Sequence, residues 1–364
     1  MTPTAPRPPL LLLGAAALVT GLWAGLTRIG AAPAGPASPL DHGALMVSGF
    51  LGTVISLERA VAARTGWALA GPALCGAGTV AILTGHAGAG AVLLTGGSLV
   101  IVAVLLRVLT FDRELHHLVL TVAAVGLVVG NALLVAGRPV FDAVGFWLVF
   151  LVGTIAAERL ELNRLIPRTR VTVASFLVAS GLLAGGALVA LLERDLGFRL
   201  LGAGALGLSA WMLRYDLARR TVRKDGSVRF IAVALLGGYG WLGVGGVLGL
   251  GYGHPLAGPH YDALLHAIFV GFVFSMIFGH ALVIIPALLA VKVPYTPRFY
   301  VHLALLHLAL VARVAGDLGG SLTLRQAGSW LNVAAIALFL VSTVVAGFAG
   351  SSRPAARPLV PAPK

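Results

Sequence analysis

Residues 41–59 read DHGALMVSGFLGTVISLER. The stretch opens on the ionisable pair Asp41-His42, runs apolar for about the depth of a bilayer, and closes on Glu58-Arg59. An apolar run of that length between charged ends is the mark of a membrane-spanning helix. Within it His42, Met46, Gly49 and Thr53 follow one another at spacings of four, three and four. On a helix these positions share a narrow stripe, so an imidazole, a thioether and a glycine face one neighbour.

The rest of the chain has the same character. Of its 364 residues 58% are hydrophobic and 11% charged, and the mean hydropathy is +0.96. That much apolar surface needs lipid, so the fold class is an all-α polytopic membrane protein. Twelve spans of roughly 20 residues are expected. They lie near 9–28, 42–63, 67–86, 88–110, 115–136, 141–162, 171–192, 198–217, 229–252, 261–290, 299–318 and 327–349. The first reads as a retained span rather than a removed signal peptide, because it is basic only at Arg7 and lacks a cleavage site. Residues 1–350 form one transmembrane domain, and the Pro/Ala-rich segment 351–364 is expected to be a disordered cytoplasmic tail.

The 26 basic and 13 acidic residues give a net charge of +13. In a membrane protein such an excess expresses topology rather than nucleic-acid binding. With both termini cytoplasmic, only Arg28, Arg138, Arg194, Arg199, Arg313 and Arg325 fall on the outer side, which leaves 20 of the 26 inside. The expected location is the bacterial inner membrane, with the lipid bilayer as the first partner.

Short patterns recur every four spans. Span two has Asp41, Gly52-Thr53 and Glu58-Arg59, and span six has Asp142, Gly153-Thr154 and Glu158-Arg159. Span ten opens on Asp262, with His266 one turn later. Span seven ends ALVALLERDLG (187–197) and span eleven ends ALVARVAGDLG (309–319). Four spans is an even number, so the copies point the same way. Three four-helix units, near 9–110, 115–217 and 229–349, are therefore expected around an axis along the membrane normal, a pseudo-threefold array.

Polar side chains at membrane depth need partners, which makes the histidines within spans candidate sites. His42 and His266 sit at matching depth on helices that the repeat makes equivalent. Two such imidazoles across an axis suit axial ligation of a haem iron, provided their rings face each other within about 10 Å. The alternative is two boundary histidines bonded to water or loop carbonyls. Gly49 and Gly271 would give either a flat macrocycle or a neighbouring helix room to approach. His280 and His307 lie deeper and could hold a second metal such as copper, or could form helix–helix hydrogen bonds.

Arg313 stands one turn before Asp317. The pair is either an i,i+4 ion pair or, through Arg313, a clamp for a haem propionate. Glu158 and Glu161 with Arg159 and Arg164 read as a boundary salt-bridge network. His116 and His117 are adjacent, so one metal cannot take both without distortion. His86, His254 and His260 read as outer-loop residues. The chain has no P-loop, dinucleotide fingerprint, CxxC or CxxCH, so a haem would be non-covalent, haem b.

HGALMVSGF (42–50) resembles the HxHEMxxGF motif of the NnrS family, bacterial twelve-span membrane proteins, through His42, Met46, Gly49 and Phe50. HAIFVGFVFSM (266–276) is similar to that family's HxxxxGxxxxM element through His266, Gly271 and Met276, and LALVARV (308–314) to its segment ending in Arg-Val. The motif's second histidine and its glutamate are replaced by Ala44 and Leu45, and its GHxGR segment is not reproduced. The resemblance implies haem and copper as cofactors, and a role in tolerance of nitric oxide and nitrosative stress. A wider likeness to the haem-copper oxidase catalytic subunit implies a low-spin haem held by histidines of spans two and ten, the places of His42 and His266. Spans six and seven contain no histidine, so a binuclear oxygen- or nitric-oxide-reducing centre is not expected. A bis-histidine haem has no open coordination position, which suits redox sensing or electron transfer with a partner; loss of one ligand would admit nitric oxide. Two other readings remain open: a secondary transporter without a prosthetic group, and a relative that keeps the fold without the cofactor.

Overall fold

The computed structural model describes residues 7–163, 169–253 and 257–351. Among them there are helices and turns but no strand. The expectations placed on Arg164, on His254 and on the tail from residue 352 lie outside these residues.

Twelve helices are long and apolar enough to cross a bilayer, with mean hydropathies between 1.4 and 2.5. They are α1 (Arg7–Arg28), α2 (Pro39–Ala63), α3 (Gly66–Leu83), α4 (Ala87–Phe111), α5 (Leu115–Val135) and α6 (Val140–Leu162), followed by α7 (Arg170–Val189), α8 (Arg194–Tyr215), α9 (Gly226–Tyr252), α10 (Pro259–Leu289), α11 (Phe299–Gly319) and α12 (Leu322–Ala349). In hydrocarbon every backbone N–H and C=O must bond within its own segment, which is why the apolar runs are helical. This is a multi-pass membrane protein.

Helices α8 and α12 start four and five residues before the expected points, and the reason is electrostatic. Arg194 in the first turn of α8 bonds Asp142 of α6 at 3.2 Å. Arg325 in the first turn of α12 pairs with Asp262 of α10 and, at 2.8 Å, with Asp317 of α11. Charges that would argue for an aqueous loop are matched by carboxylates on neighbouring helices, so the helix can begin before them. At the other end of α12, Ser351 still belongs to the helix rather than to the expected tail.

Helices α2, α6 and α10 meet in the middle of the bundle. Helix α6 is the most enclosed, with every residue from Asp142 to Thr154 buried. Helix α2 touches both α6 and α10, and α6 reaches α10 through Arg159 and His280. The remaining helices pack around these three. The ring closes where α12 meets α1, with Gln326 donating to the carbonyls of Ile29 and Gly30 and Trp330 to that of Ala31. Each of the three central helices has an aspartate near its start, Asp41, Asp142 and Asp262.

Two of the three are not regular α-helices. Helix α2 starts as a 3₁₀ turn over Pro39–Asp41, and π-turns run through Leu45–Leu51 before α geometry resumes at Gly52. Helix α10 is α-helical to His266, π from Ala267 to Phe274, and α again from Ser275. A π-turn inserts one residue and turns everything beyond it to a new face. Asp41 to Arg59 and Asp262 to His280 both span 18 residues, while Asp142 to Arg159 on the regular α6 spans 17. The extra residue lies in the two helices that carry π-turns.

Candidate functional site

The end of the bundle where α2 and α10 begin holds a cavity with about 1080 Å³ of space between side chains, part of it open to the surroundings. Its walls come from α1, α2, α6, α10, α11 and α12, and are mostly apolar: Leu22, Val144, Trp147, Phe269, Phe274 and Ile336 are typical. His42 and His266 both line it, as do Met46 and Arg313.

The two imidazoles face each other. Their ring centroids are 6.2 Å apart and their planes differ by 18°. Two metal–imidazole bonds of about 2 Å set end to end, plus a nitrogen-to-centre offset of about 1 Å in each ring, separate the centroids by roughly 6 Å.

The hydrogen bonds of each ring decide which nitrogen is free. His42 Nδ1 lies 2.7 Å from the carbonyl oxygen of Gly21, and His266 Nδ1 lies 2.8 Å from that of Asp262. A carbonyl can only accept, so each Nδ1 carries hydrogen and the lone pair of the neutral ring is on Nε2. A ligating histidine typically donates its other ring N–H in this way, which fixes the tautomer and makes the ligand more basic. The ring of His42 rests on Gly25 of α1, where a Cβ would come within 2.7 Å of Cε1. Glycine is required there by the close approach.

The pairing continues deeper. Phe50 and Phe274, each eight residues beyond its histidine, stack with centroids 6.2 Å apart and planes 25° apart. Met46 lines the cavity but its Sδ packs against Gly21 of α1. Of the two roles considered for Gly49 and Gly271, the structure shows the helix approach. Gly49 admits Ala17 and Thr79, and Gly271 admits Trp241 and Leu310; neither lines the cavity.

Arg313 is 8% exposed. Its nearest approach to Asp317 is 4.0 Å, and its Nε has no hydrogen-bond partner. Asp317 is held instead by Arg325 at 2.8 Å. The expected i,i+4 pair is thus loose, and Arg313 also lines the cavity. Sequence reading passed over Gly25 and Asn332. Asn332 was visible as an amide within an apolar span, a feature that needs a partner at membrane depth.

Of the two roles open to His280 and His307, the structure shows helix–helix hydrogen bonds. His280 donates Nδ1–H to the carbonyl of Met276 at 2.7 Å, and its Nε2 accepts from Arg159 at 2.8 Å. His307 Nδ1 accepts from the indole of Trp241 at 2.9 Å. Both lone pairs that could bind a metal are committed to helix–helix hydrogen bonds, one to α6 and one to α9. His116 and His117 also go to separate carboxylates, Glu161 at 3.9 Å and Asp112 at 3.5 Å. Among the described residues no group of three or more His, Cys, Asp or Glu could hold a metal ion.

At the opposite end of the bundle the expected network exists with other pairings. Arg59 of α2 forms an ion pair with Glu158 of α6 and lies 3.6 Å from Glu58. Arg159 reaches His280, and Asn163 donates to Asp216 at 3.4 Å. Arg59–Glu158 and Arg159–His280 tie α2, α6 and α10 together at that end, and Asn163–Asp216 ties α6 to the end of α8.

No curated protein and no solved structure matches the chain. Residues 7–348 match one sequence family throughout, and the chain belongs to it: the family described as a domain of unknown function, DUF8744.

Proposed function

We propose that this membrane protein serves electron transfer or redox sensing, and that His42 and His266, through their free Nε2 atoms, would hold a b-type haem. The observation that carries this reading is the pair of near-parallel rings 6.2 Å apart in one cavity, each with Nδ1 anchored on a backbone carbonyl. Bound there, the haem would supply a one-electron couple.

The chain's own residues do the rest. The carbonyls of Gly21 and Asp262 fix the ring orientations. Trp147, Phe269 and Ile336 keep water from the apolar part of the cavity. Arg313 is available to a propionate, in the bidentate manner that guanidinium and carboxylate favour. Two histidines holding the group would suit electron transfer rather than ligand activation, and no catalytic residue is assigned.

The resemblance to the NnrS family supports nitric oxide and nitrosative stress as the setting, with nitric oxide or an electron-transfer protein as partner. The arginine distribution supports a bacterial inner-membrane location with both termini in the cytoplasm. Copper has no part in this proposal.

Optical spectra of the purified protein, oxidised and dithionite-reduced, test it. Sharp reduced α and Soret bands that collapse in His266→Ala are expected. A featureless spectrum from protein made with ample haem would reject the haem reading and favour a secondary transporter. One observation suits that second reading: the bundle has a cavity at one end and is tied by Arg59–Glu158 and Arg159–His280 at the other, as a carrier is in one of its states.

A further inference from the structure

The rim of the cavity between α1, α11 and α12 carries polar atoms that the fold does not use. Asn332 of α12 is 3% exposed and lines the cavity, yet neither its Oδ1 nor its Nδ2 has a hydrogen-bond partner. A buried amide left unbonded is destabilising, so a bare asparagine facing a cavity points to an occupant with polar atoms. Arg313 lines the same cavity with its Nε unbonded. Arg28, in the last turn of α1, lines it too and forms no ion pair among the described residues. The nearby carboxylates are already shared: Asp262 pairs with Arg325, and Asp317 with Arg325 and, loosely, Arg313. Three arginines against two aspartates leave one positive charge unmatched at this rim.

An unmatched guanidinium and an amide N–H lining one cavity are a donor set for a carboxylate. We infer that Arg28, Arg313 and Asn332 form a carboxylate subsite at the cavity rim that takes the propionate edge of the porphyrin. This rests on the haem reading above and adds to it the ligand's chemistry and orientation. Asn332 and Arg28 hold the carboxylates, and the apolar walls take the remainder of the ring. The subsite selects a tetrapyrrole with free acid groups over one whose acids are masked.

The test is a titration of haem-depleted full-length protein in detergent micelles with haemin and with haemin dimethyl ester, followed by the Soret band. Wild type is expected to bind the free acid about tenfold or more tightly than the ester. Asn332→Leu and Arg28→Gln are each expected to reduce that preference to about twofold by weakening the acid while leaving the ester unchanged. Unchanged ester affinity is the readout that a misfolded variant cannot give. Equal binding of acid and ester by wild type overturns the subsite and leaves the haem reading standing. Equal loss of both ligands in Asn332→Leu overturns the role of Asn332. If wild type binds neither, the haem reading itself fails and the subsite falls with it.

Discussion

Four histidines of the membrane spans, His42, His266, His280 and His307, form two contrasting pairs. His42 and His266 give their Nδ1–H to backbone carbonyls of Gly21 and Asp262 and keep the Nε2 lone pair. His280 and His307 give up a lone pair to Arg159 and Trp241. The first pair faces a cavity across 6.2 Å; the second binds helices to each other. What makes an intramembrane histidine a candidate ligand is therefore the partner on its other nitrogen. Depth in the membrane does not distinguish the pairs, because all four are polar groups that need a partner there.

The sharpest way to break this contrast is to remove each histidine in turn. His42→Ala or His266→Ala is expected to lower haem affinity by more than about 100-fold, since losing a first ligand exceeds the roughly 10–100-fold effect of losing a ligand's supporting partner. His280→Ala and His307→Ala should leave the optical spectrum as in wild type. A spectrum that depended on His280 or His307, and not on His266, would reverse the assignment.

Gly25 offers a finer probe, because it acts on one ligand without touching its chemistry. A methyl group there would meet the His42 ring at 2.7 Å and turn it away from its carbonyl partner. Gly25→Ala should weaken haem binding by about 10–100-fold, the size of a supporting-shell effect. The control is Gly347→Ala on α12, where a Cβ has open space and binding should be unchanged.

The sequence carried the twelve helices because hydrophobic runs bounded by arginine and glycine are a strong signal. It also brought out His42 and His266 as partners, through Asp41 and Asp262 at matching helix starts. It did not carry the π-turns at Leu45–Leu51 and Ala267–Phe274, since no composition marks a wide turn in an apolar helix. For the same reason counting at 3.6 residues per turn could not place His280: beyond the π segment its ring turns to α6 and Arg159. Nor could spacing show that His307 would meet Trp241, a contact between helices 66 residues apart in the chain. Ligand capacity was illegible because it depends on hydrogen bonds that only the packed bundle creates.

The far end of the bundle should answer to stability rather than to haem. Glu158→Gln removes the partner of Arg59, whose side chain is only 17% exposed. Breaking a buried pair costs roughly 3–5 kcal/mol, and the partial exposure here lowers the expectation to about 2 kcal/mol. Thermal unfolding in detergent would show the loss. The double variant Arg59→Leu, Glu158→Leu should recover part of it, because no unpaired charge is then left. Haem affinity should be unchanged in both, unless closure of this end is coupled to the cavity as an alternating-access carrier requires.

The smallest expected effect bears most directly on what distinguishes the two histidine pairs. Trp241→Phe removes the indole N–H that occupies His307 Nδ1. The hydrogen bond joins two membrane helices, and such bonds contribute about 0.6 kcal/mol on average, so stability should fall only slightly. The lone pair of His307 would then be free. If a committed lone pair were all that kept His307 from binding metal, the variant should take up copper. It should not, because His280 still gives its own lone pair to Arg159, and one imidazole without further ligands is too thin a set for copper. Copper uptake measured on Trp241→Phe, beside the double variant that adds Arg159→Leu, separates these cases. Binding by the single variant would show that a latent second site needs only one hydrogen bond to be broken. Binding by neither would show that His42 and His266 differ from the deeper pair in mutual placement as well as in free nitrogens.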